Sequence, residues 1–215
     1  MLHPTADGSL ARAPGSPRAA DVVTARGAGE YQSVTRKLLM EKSKSPPLAR
    51  ETERLRDEVE TTLAGDPWYG ASVLSILDGV DAAAAAAKPV AGAHSIWELV
   101  LHITAWTREV ARRLRGKSAS PPPEGDWPSV PATDSKAWTA AVADLRDAHA
   151  DLARAVAETD DGYLGHQVGG DQVDSIGKPV TLYRTVVGAL QHIAYHAGQI
   201  SLLKRTLAGK RGRSA

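Results

Sequence analysis

Apolar residues recur at three- and four-residue intervals in four long segments of this chain of 215 residues. That spacing gives an α-helix one continuous apolar face, which a globular protein buries. The four segments are, approximately, residues 48–63, 95–115, 134–157 and 180–207. Two long irregular connections, residues 117–133 and 159–178, separate the last three segments. The pattern therefore predicts an all-α fold in which four amphipathic helices pack as a bundle.

The composition limits the kinds of site that the chain can build. Apolar residues make up 42% of it and phenylalanine is missing, which favours packed helices. Since there is no cysteine, disulfides, thiolate metal ligands and a cysteine nucleophile are excluded. A formal net charge of +1 gives no reason to expect nucleic acid as a partner. No stretch approaches the length of a membrane span and no secretory signal is recognisable, so we expect a soluble, cytoplasmic protein.

The two ends of the chain differ from the segments between them. Proline and glycine punctuate residues 1–47, and no helical pattern there lasts two turns. We expect a disordered leader, with at most a short helix near residues 34–40. The bundle is predicted over residues 48–209, and residues 210–215 form a basic tail. Between the first two long segments, residues 71–77 and 81–87 are expected to form short connecting helices.

Three histidines occupy core-facing positions of the predicted helices. His192 and His196 are four residues apart, which places the second imidazole within about 40° of the first around the helix. His196 replaces an apolar residue in the inward stripe of its segment, and His102 borders the stripe of residues 95–115. His149 also falls on an apolar face, where a hydrogen-bonded core histidine is the expected interpretation.

Burying three imidazoles without partners would cost several kcal/mol in unmet hydrogen bonds. One divalent ion shared by His102, His192 and His196 would satisfy all three at once. Three protein ligands and one open position are typical of a catalytic zinc site, although imidazole suits Zn, Ni, Cu and Fe alike. The alternative is that the three side chains are polar groups of the core that bind no metal.

Several other side chains are candidates for the surroundings of such a site. Trp68, Trp106 and Trp127 could form the walls of a pocket, although packing in the core is an alternative for each. Tyr195 and Gln199 flank the histidine pair and could orient an imidazole or a substrate, with helix surface as the alternative. A further set of four cations is expected to form a solvated helix end, where positive charge suits the helix dipole: Arg108, Arg112, Arg113 and Arg115.

Two stretches resemble the motifs of a known family. Residues 97–106, which contain His102, and residues 192–200, which contain the histidine pair, are similar to the two motifs of the DinB-like family. The resemblance extends over about residues 48–208 and includes the turn at residues 68–70 and the loop at residues 126–128. It implies an up-down-down-up four-helix bundle. It also implies a divalent metal, commonly Zn or Ni, held by His102, His192 and His196.

The same resemblance suggests a reaction. The family includes S-transferases that use bacillithiol or mycothiol, so it implies a metal-dependent transferase that joins a small thiol to an electrophile through a metal-bound thiolate. A hydrolase using metal-bound water is the second interpretation. It is disfavoured because Ile193 follows His192 where zinc proteases carry a glutamate base. The third is a non-catalytic stress-response or binding bundle with a structural metal. A small-molecule substrate and a homodimer are also expected.

The start of the chain generates one prediction. Met40 precedes a hydrophilic stretch and would be a natural first residue, so our hypothesis is that residues 1–39 come from an over-extended gene start. Mass spectrometry of the natively expressed protein should then find no peptide from before Met40. Any peptide from residues 1–39 would contradict the hypothesis.

Overall fold

The computed structural model describes residues 49–168 and 179–211, and this part of the chain is mainly helical. Its α-helices are α1 (Glu51–Ala64), α2 (Val73–Leu77), α3 (Ala82–Ala86), α4 (Ile96–Leu114), α5 (Ser135–Glu158) and α6 (Leu182–Arg211). A 3₁₀ turn, Tyr163–Gly165, and two short strands, β1 (Gln167–Val168) and β2 (Val180–Thr181), connect α5 to α6. The all-α prediction is confirmed. The predicted leader with its short helix, and residues 212–215 of the tail, lie outside the described residues.

The four long helices form a bundle in which α4 and α1 each pack against both α5 and α6. Two ion pairs show that α4 and α5 run in the same direction. Arg108 donates to Asp144 at 2.6 Å, and Arg115 donates to Asp151 at 2.8 Å. Both members of the second pair lie seven residues later in the chain than those of the first. Parallel neighbours require a long connection, which residues 115–134 supply.

The remaining directions follow from contacts at the end of α5. The carboxylate of Asp161, just beyond α5, accepts hydrogen bonds from the first residues of α1, so α1 runs opposite to α5. The backbone N–H of Leu182, at the start of α6, donates to the carbonyl of His166 at 2.8 Å. Helix α6 therefore begins where α5 has ended and runs back along the bundle. The up-down-down-up arrangement is confirmed.

Side-chain caps account for where several helices begin. The Ser95 hydroxyl accepts from the Glu98 N–H, and the Glu98 carboxylate accepts from the Ser95 N–H, which is the predicted capping box of α4. Asp134 caps α5 through the N–H of Ala137 at 2.8 Å. Helix α1 is capped from a distance, because Asp161 accepts from the backbone N–H groups of Glu51 and Thr52 and from the Thr52 hydroxyl.

Helix α4 is buried on nearly every side, whereas the sequence predicted a single apolar stripe. Trp97 and Val100 lie off that stripe and are fully buried. We had expected the arginines of its last turns to be solvated, but one of them is buried. Arg113 is only 6% exposed and donates to the fully buried carboxylate of Glu109 at 3.0 Å. The other carboxylate oxygen of Glu109 accepts a hydrogen bond from Arg112, so this carboxylate forms ion pairs with two arginines.

The connection before α6 also differs from the expectation. Residues 180–181 were predicted as the first residues of the last helix, but they pair with Gln167 and Val168 as an antiparallel ladder. The helix then starts two residues later and continues through Arg211, beyond the predicted end at Leu207. No helix in the described ranges is both long enough and apolar enough to cross a membrane.

His149 lies between α5 and α1 and is 2% exposed. Its Nδ1–H donates to the carbonyl of Leu145 at 2.9 Å, and its Nε2 has no partner among the described residues. Burial lowers the pKa of His149 from 6.5 to about 4. It is a core histidine, as the sequence indicated.

This pKa predicts a pH dependence of stability. Between pH 6.5 and 4 the unfolded chain binds a proton at residue 149 and the folded chain does not, so the free energy of unfolding falls as the pH falls. The gap between the two pKa values corresponds to about 3 kcal/mol. Urea unfolding of wild type and His149→Leu at several pH values measures it. The variant keeps every other histidine, so only the effect of residue 149 differs between the two proteins. As the pH falls from 6.5 to 4, the free energy of unfolding of wild type should decrease by that amount relative to the variant. Parallel curves would contradict the prediction.

Candidate metal centre

Helices α4 and α6 bring three histidines together. The Nε2 of His192 lies 2.9 Å from the Nε2 of His102 and 2.9 Å from the Nε2 of His196. One ligand atom from each side chain lies within 4.8 Å of the others. The contact between His192 and His196 follows from their spacing of one helical turn, and the contact with His102 comes from packing of α4 against α6. We call these three residues the histidine triad.

The outer nitrogens of two triad members are held by acceptors. The Nδ1–H of His102 donates to the backbone carbonyl of Asp126 at 2.5 Å. The Nδ1–H of His196 donates to the side-chain oxygen of Gln199 at 2.7 Å. A neutral imidazole carries one proton, so these bonds leave the Nε2 of each ring with a lone pair.

The donor set therefore fits a divalent cation. The Nε2 of His192 can carry one proton at most, so it can satisfy only one of the two lone pairs that face it. A shared cation accepts a lone pair from all three rings and removes this deficit. Nitrogens bound at about 2.0–2.1 Å to one zinc ion lie about 3.3 Å apart, between the two contacts of 2.9 Å and the 4.8 Å within which all three ligand atoms lie. Acceptors at Nδ1 are also the partners that metal-binding histidines typically have.

Burial favours the neutral form of two triad members, His192 and His196. It is the main cause that lowers the pKa of His192 to about 4, and the adjacent imidazoles of His196 and His102 lower it further. Burial also lowers the pKa of His196, against the opposing effect of its bond to Gln199. At neutral pH these rings hold lone pairs and no charge, which is the form that binds a metal.

Trp127 covers one face of the triad. Its ring stacks on the His102 imidazole, with centroids 3.9 Å apart and planes 12° apart. On its other face it stacks on His94 at 3.5 Å. The connection from α4 to α5 thus folds back over the bundle and places an aromatic lid against His102, while Trp127 itself remains 37% exposed.

Residues 70–200 match the family model of the DinB superfamily. This match spans more than half of the chain and includes all of α4 and α5 and the whole triad. The chain belongs to the DinB superfamily. No curated protein and no solved structure matches it. The family assignment made from the two histidine motifs is confirmed.

The other predicted site residues of this DinB chain differ in their positions. Trp106 lies with its ring 6.4 Å from those of His102 and His192, edge to face. Tyr195 packs its ring 5.1 Å from His196 and is 65% exposed, so it borders the triad from the surface. The position of Trp68 differs from the expected pocket wall. Its side chain is 102% exposed in the turn after α1, so it forms no wall of a pocket.

Asp126 is the residue that sequence reasoning missed. Besides its carbonyl bond to His102, its carboxylate accepts from the indole N–H of Trp106 at 2.7 Å and lies 3.4 Å from His102 Nδ1. The spacing of residues in the sequence does not place this carboxylate beside the triad. The signal available was the Asp-Trp-Pro sequence in the long connection, but a backbone carbonyl contact leaves no mark in a sequence.

The bond to Gln199 generates a prediction. Replacing Gln199 with leucine removes the acceptor for His196 Nδ1–H, so the ring loses its fixed orientation and its tautomer. Loss of such an outer partner typically weakens metal binding about 10–100-fold. Competition for Zn²⁺ against a chromophoric chelator measures the affinity. Gln191→Leu, an exposed change on the same helix, is the matched control. Equal affinities of the two variants would contradict the role of Gln199.

Proposed function

We propose that this DinB-superfamily protein is a metal-dependent transferase that joins a small thiol to an electrophilic substrate. The observation that carries the proposal is the set of three Nε2 lone pairs that face one another with too few protons to satisfy them. Zn or Ni is the metal we propose, because both accept imidazole nitrogen and both are implied by the family resemblance.

A divalent ion with an open position favours the ionised form of a thiol or of a water molecule that binds to it. The chain's own residues would do the rest. His102, His192 and His196 would hold the ion on one side. The indole of Trp127 would exclude water from the face of His102 on which it stacks. The indole of Trp106 would form a wall beside His192.

The position of Asp126 favours a thiol over water as the nucleophile. Hydrolysis calls for a base that can take a proton from the attacking water. In the described ranges, Asp126 provides the carboxylate within 4.0 Å of a triad nitrogen, and that contact is to Nδ1 of His102. Nδ1 is the nitrogen of His102 that does not contact the other two histidines, so through this contact the carboxylate orients the His102 ring. A thiol, which ionises more easily, needs no such base.

The proposed reaction is a nucleophilic substitution at the electrophilic carbon of the substrate, with the thiol sulfur as nucleophile. The thiol gives up its proton to solvent, and the sulfur electron pair forms a bond to the electrophilic carbon. The leaving group departs with the electron pair of the bond that breaks. We also propose that the protein acts in the cytoplasm on small molecules, without nucleic acid, and forms a homodimer.

Metal content is the first prediction of this proposal. Elemental analysis of untagged protein should find about one Zn or Ni per chain, as expected for one three-histidine site. His102→Ala and His196→Ala should lose the metal, because two imidazoles hold it too weakly. His166→Ala is the matched control, since His166 is exposed and contacts Tyr163 instead of the triad. A folded wild type that takes up neither metal on incubation would contradict the proposal.

Activity separates the transferase from its alternatives. Bacillithiol, mycothiol and cysteine are each incubated with an alkylating dye, and loss of free thiol is followed with wild type and His192→Ala. We expect the variant to lose at least about 100-fold in rate, since the nucleophile loses its activation. Metal-dependent ester or amide cleavage without thiol consumption would support a hydrolase instead. Unfolding on chelation, with no activity of either kind, would indicate a structural metal.

A further inference from the structure

A cavity of about 300 Å³ lies between α4 and α6, directly beside the histidine triad. His192 belongs to both and Trp106 lines the cavity beside it, so the cavity continues from the site at which the metal would bind. Its walls are otherwise mostly apolar, and include Val110, Val180 and Ile193. The volume is at the lower end of the range that binds small organic molecules. We call this space the Trp106 pocket.

Thr107 lines the Trp106 pocket with a hydroxyl that lacks a partner. The side chain is 1% exposed, and its oxygen makes no hydrogen bond within the described residues. Buried helical threonines ordinarily donate to the carbonyl four residues earlier. Thr104 and Thr159 do so here, both at 2.7 Å. An unpaired buried hydroxyl is costly, and a ligand in the pocket would satisfy it.

Two arginines line the same pocket, and no aspartate or glutamate of the described ranges does. Arg113 lies with its guanidinium carbon 5.9 Å from the centroid of the Trp106 ring. Its Nε and one terminal nitrogen donate to Glu109 and to the carbonyl of Ser120. Arg112, which is partly exposed, also pairs with Glu109, so the cluster of these three side chains carries a net positive charge.

Arg184 is the second cation of the pocket, and within the part of the chain that the structure describes its side chain forms no ion pair. The three arginines of α4 and Arg115, which follows its last residue, each form an ion pair. The Arg184 guanidinium has no carboxylate within 4.0 Å among the residues that the structure describes. It stands on the first turn of α6, exposed at the edge of the pocket, where an anion can reach it without displacing a carboxylate of the described residues.

From this arrangement we propose that the Trp106 pocket binds a substrate with an apolar body and an oxyanion such as a carboxylate. This inference rests on the proposed function, because it assigns the substrate class of the same site. The Arg184 guanidinium binds the anionic group, and the Thr107 hydroxyl donates a hydrogen bond to it. Arg113, in the wall of the pocket, adds positive electrostatic potential. The apolar body lies against Trp106 and Ile193, which directs its other end towards His192. An anion in a site lined by arginine and shielded by apolar walls is bound by charge-assisted hydrogen bonds.

Direct binding tests the proposal without any turnover. Calorimetric titration of the full chain compares 1-naphthoate with 1-naphthamide, which has the same shape and no charge. Wild type should bind the acid about tenfold more tightly, since a charge-assisted bond replaces a neutral one. Arg184→Gln should remove this preference, and Thr107→Val should reduce the affinity for the acid. Arg205→Gln is the matched control, being an exposed arginine on α6 outside the pocket.

The same titrations after chelation separate this proposal from the proposed function. Binding that persists without metal and depends on Arg184 supports the pocket even if no thiol transfer is found. Acid and amide binding equally, or neither binding up to the solubility limit, would overturn it. So would an acid affinity that is lost on chelation and unchanged in Arg184→Gln, because the carboxylate would then coordinate the metal and not the arginine.

Discussion

The burial of α4 on nearly every side is the constraint on which the rest of the bundle depends. A helix surrounded by protein must find partners for most of the polar groups it carries. The connection that follows it supplies three such partners. Ser120 donates its N–H to Glu109 and accepts from Arg113, and the Asp126 carbonyl accepts from His102. The path of this connection back over α4 is therefore set by hydrogen bonding as much as by its many prolines.

The same requirement explains how the histidine triad is oriented. Each outer nitrogen that is paired is paired with an oxygen of the protein, and the inner nitrogens are left to face one another. The parallel course of α4 and α5 leaves α6 to approach α4 from the opposite direction, which brings one turn of α6 against His102. Stacking of Trp127 then protects the assembled face. The directions of the helices, the path of the connection after α4 and the tautomers of the imidazoles therefore all determine the geometry of the histidine triad.

Much of this fold could be predicted from the sequence, because four apolar stripes and the caps at Ser95 and Asp134 each depend on local spacing. The inward positions of the three histidines followed from the same periodicity. Periodicity fails where a helix is buried all round, so the pairing of Arg113 with Glu109 was missed. Contacts made by backbone groups of a loop, such as the Asp126 carbonyl, depend on the three-dimensional path of the chain and have no spacing to detect.

The cap of α1 has a consequence for the order in which the bundle assembles. Asp161 satisfies the first N–H groups of α1 from a position 110 residues later in the chain. A helix of 14 residues is marginal by itself in water. While the protein is being synthesised, α1 leaves the ribosome long before its cap exists, and it must wait for α5 and the turn beyond it. Among the long helices that the structure describes, the first to be synthesised therefore gains its cap only after α5 is complete.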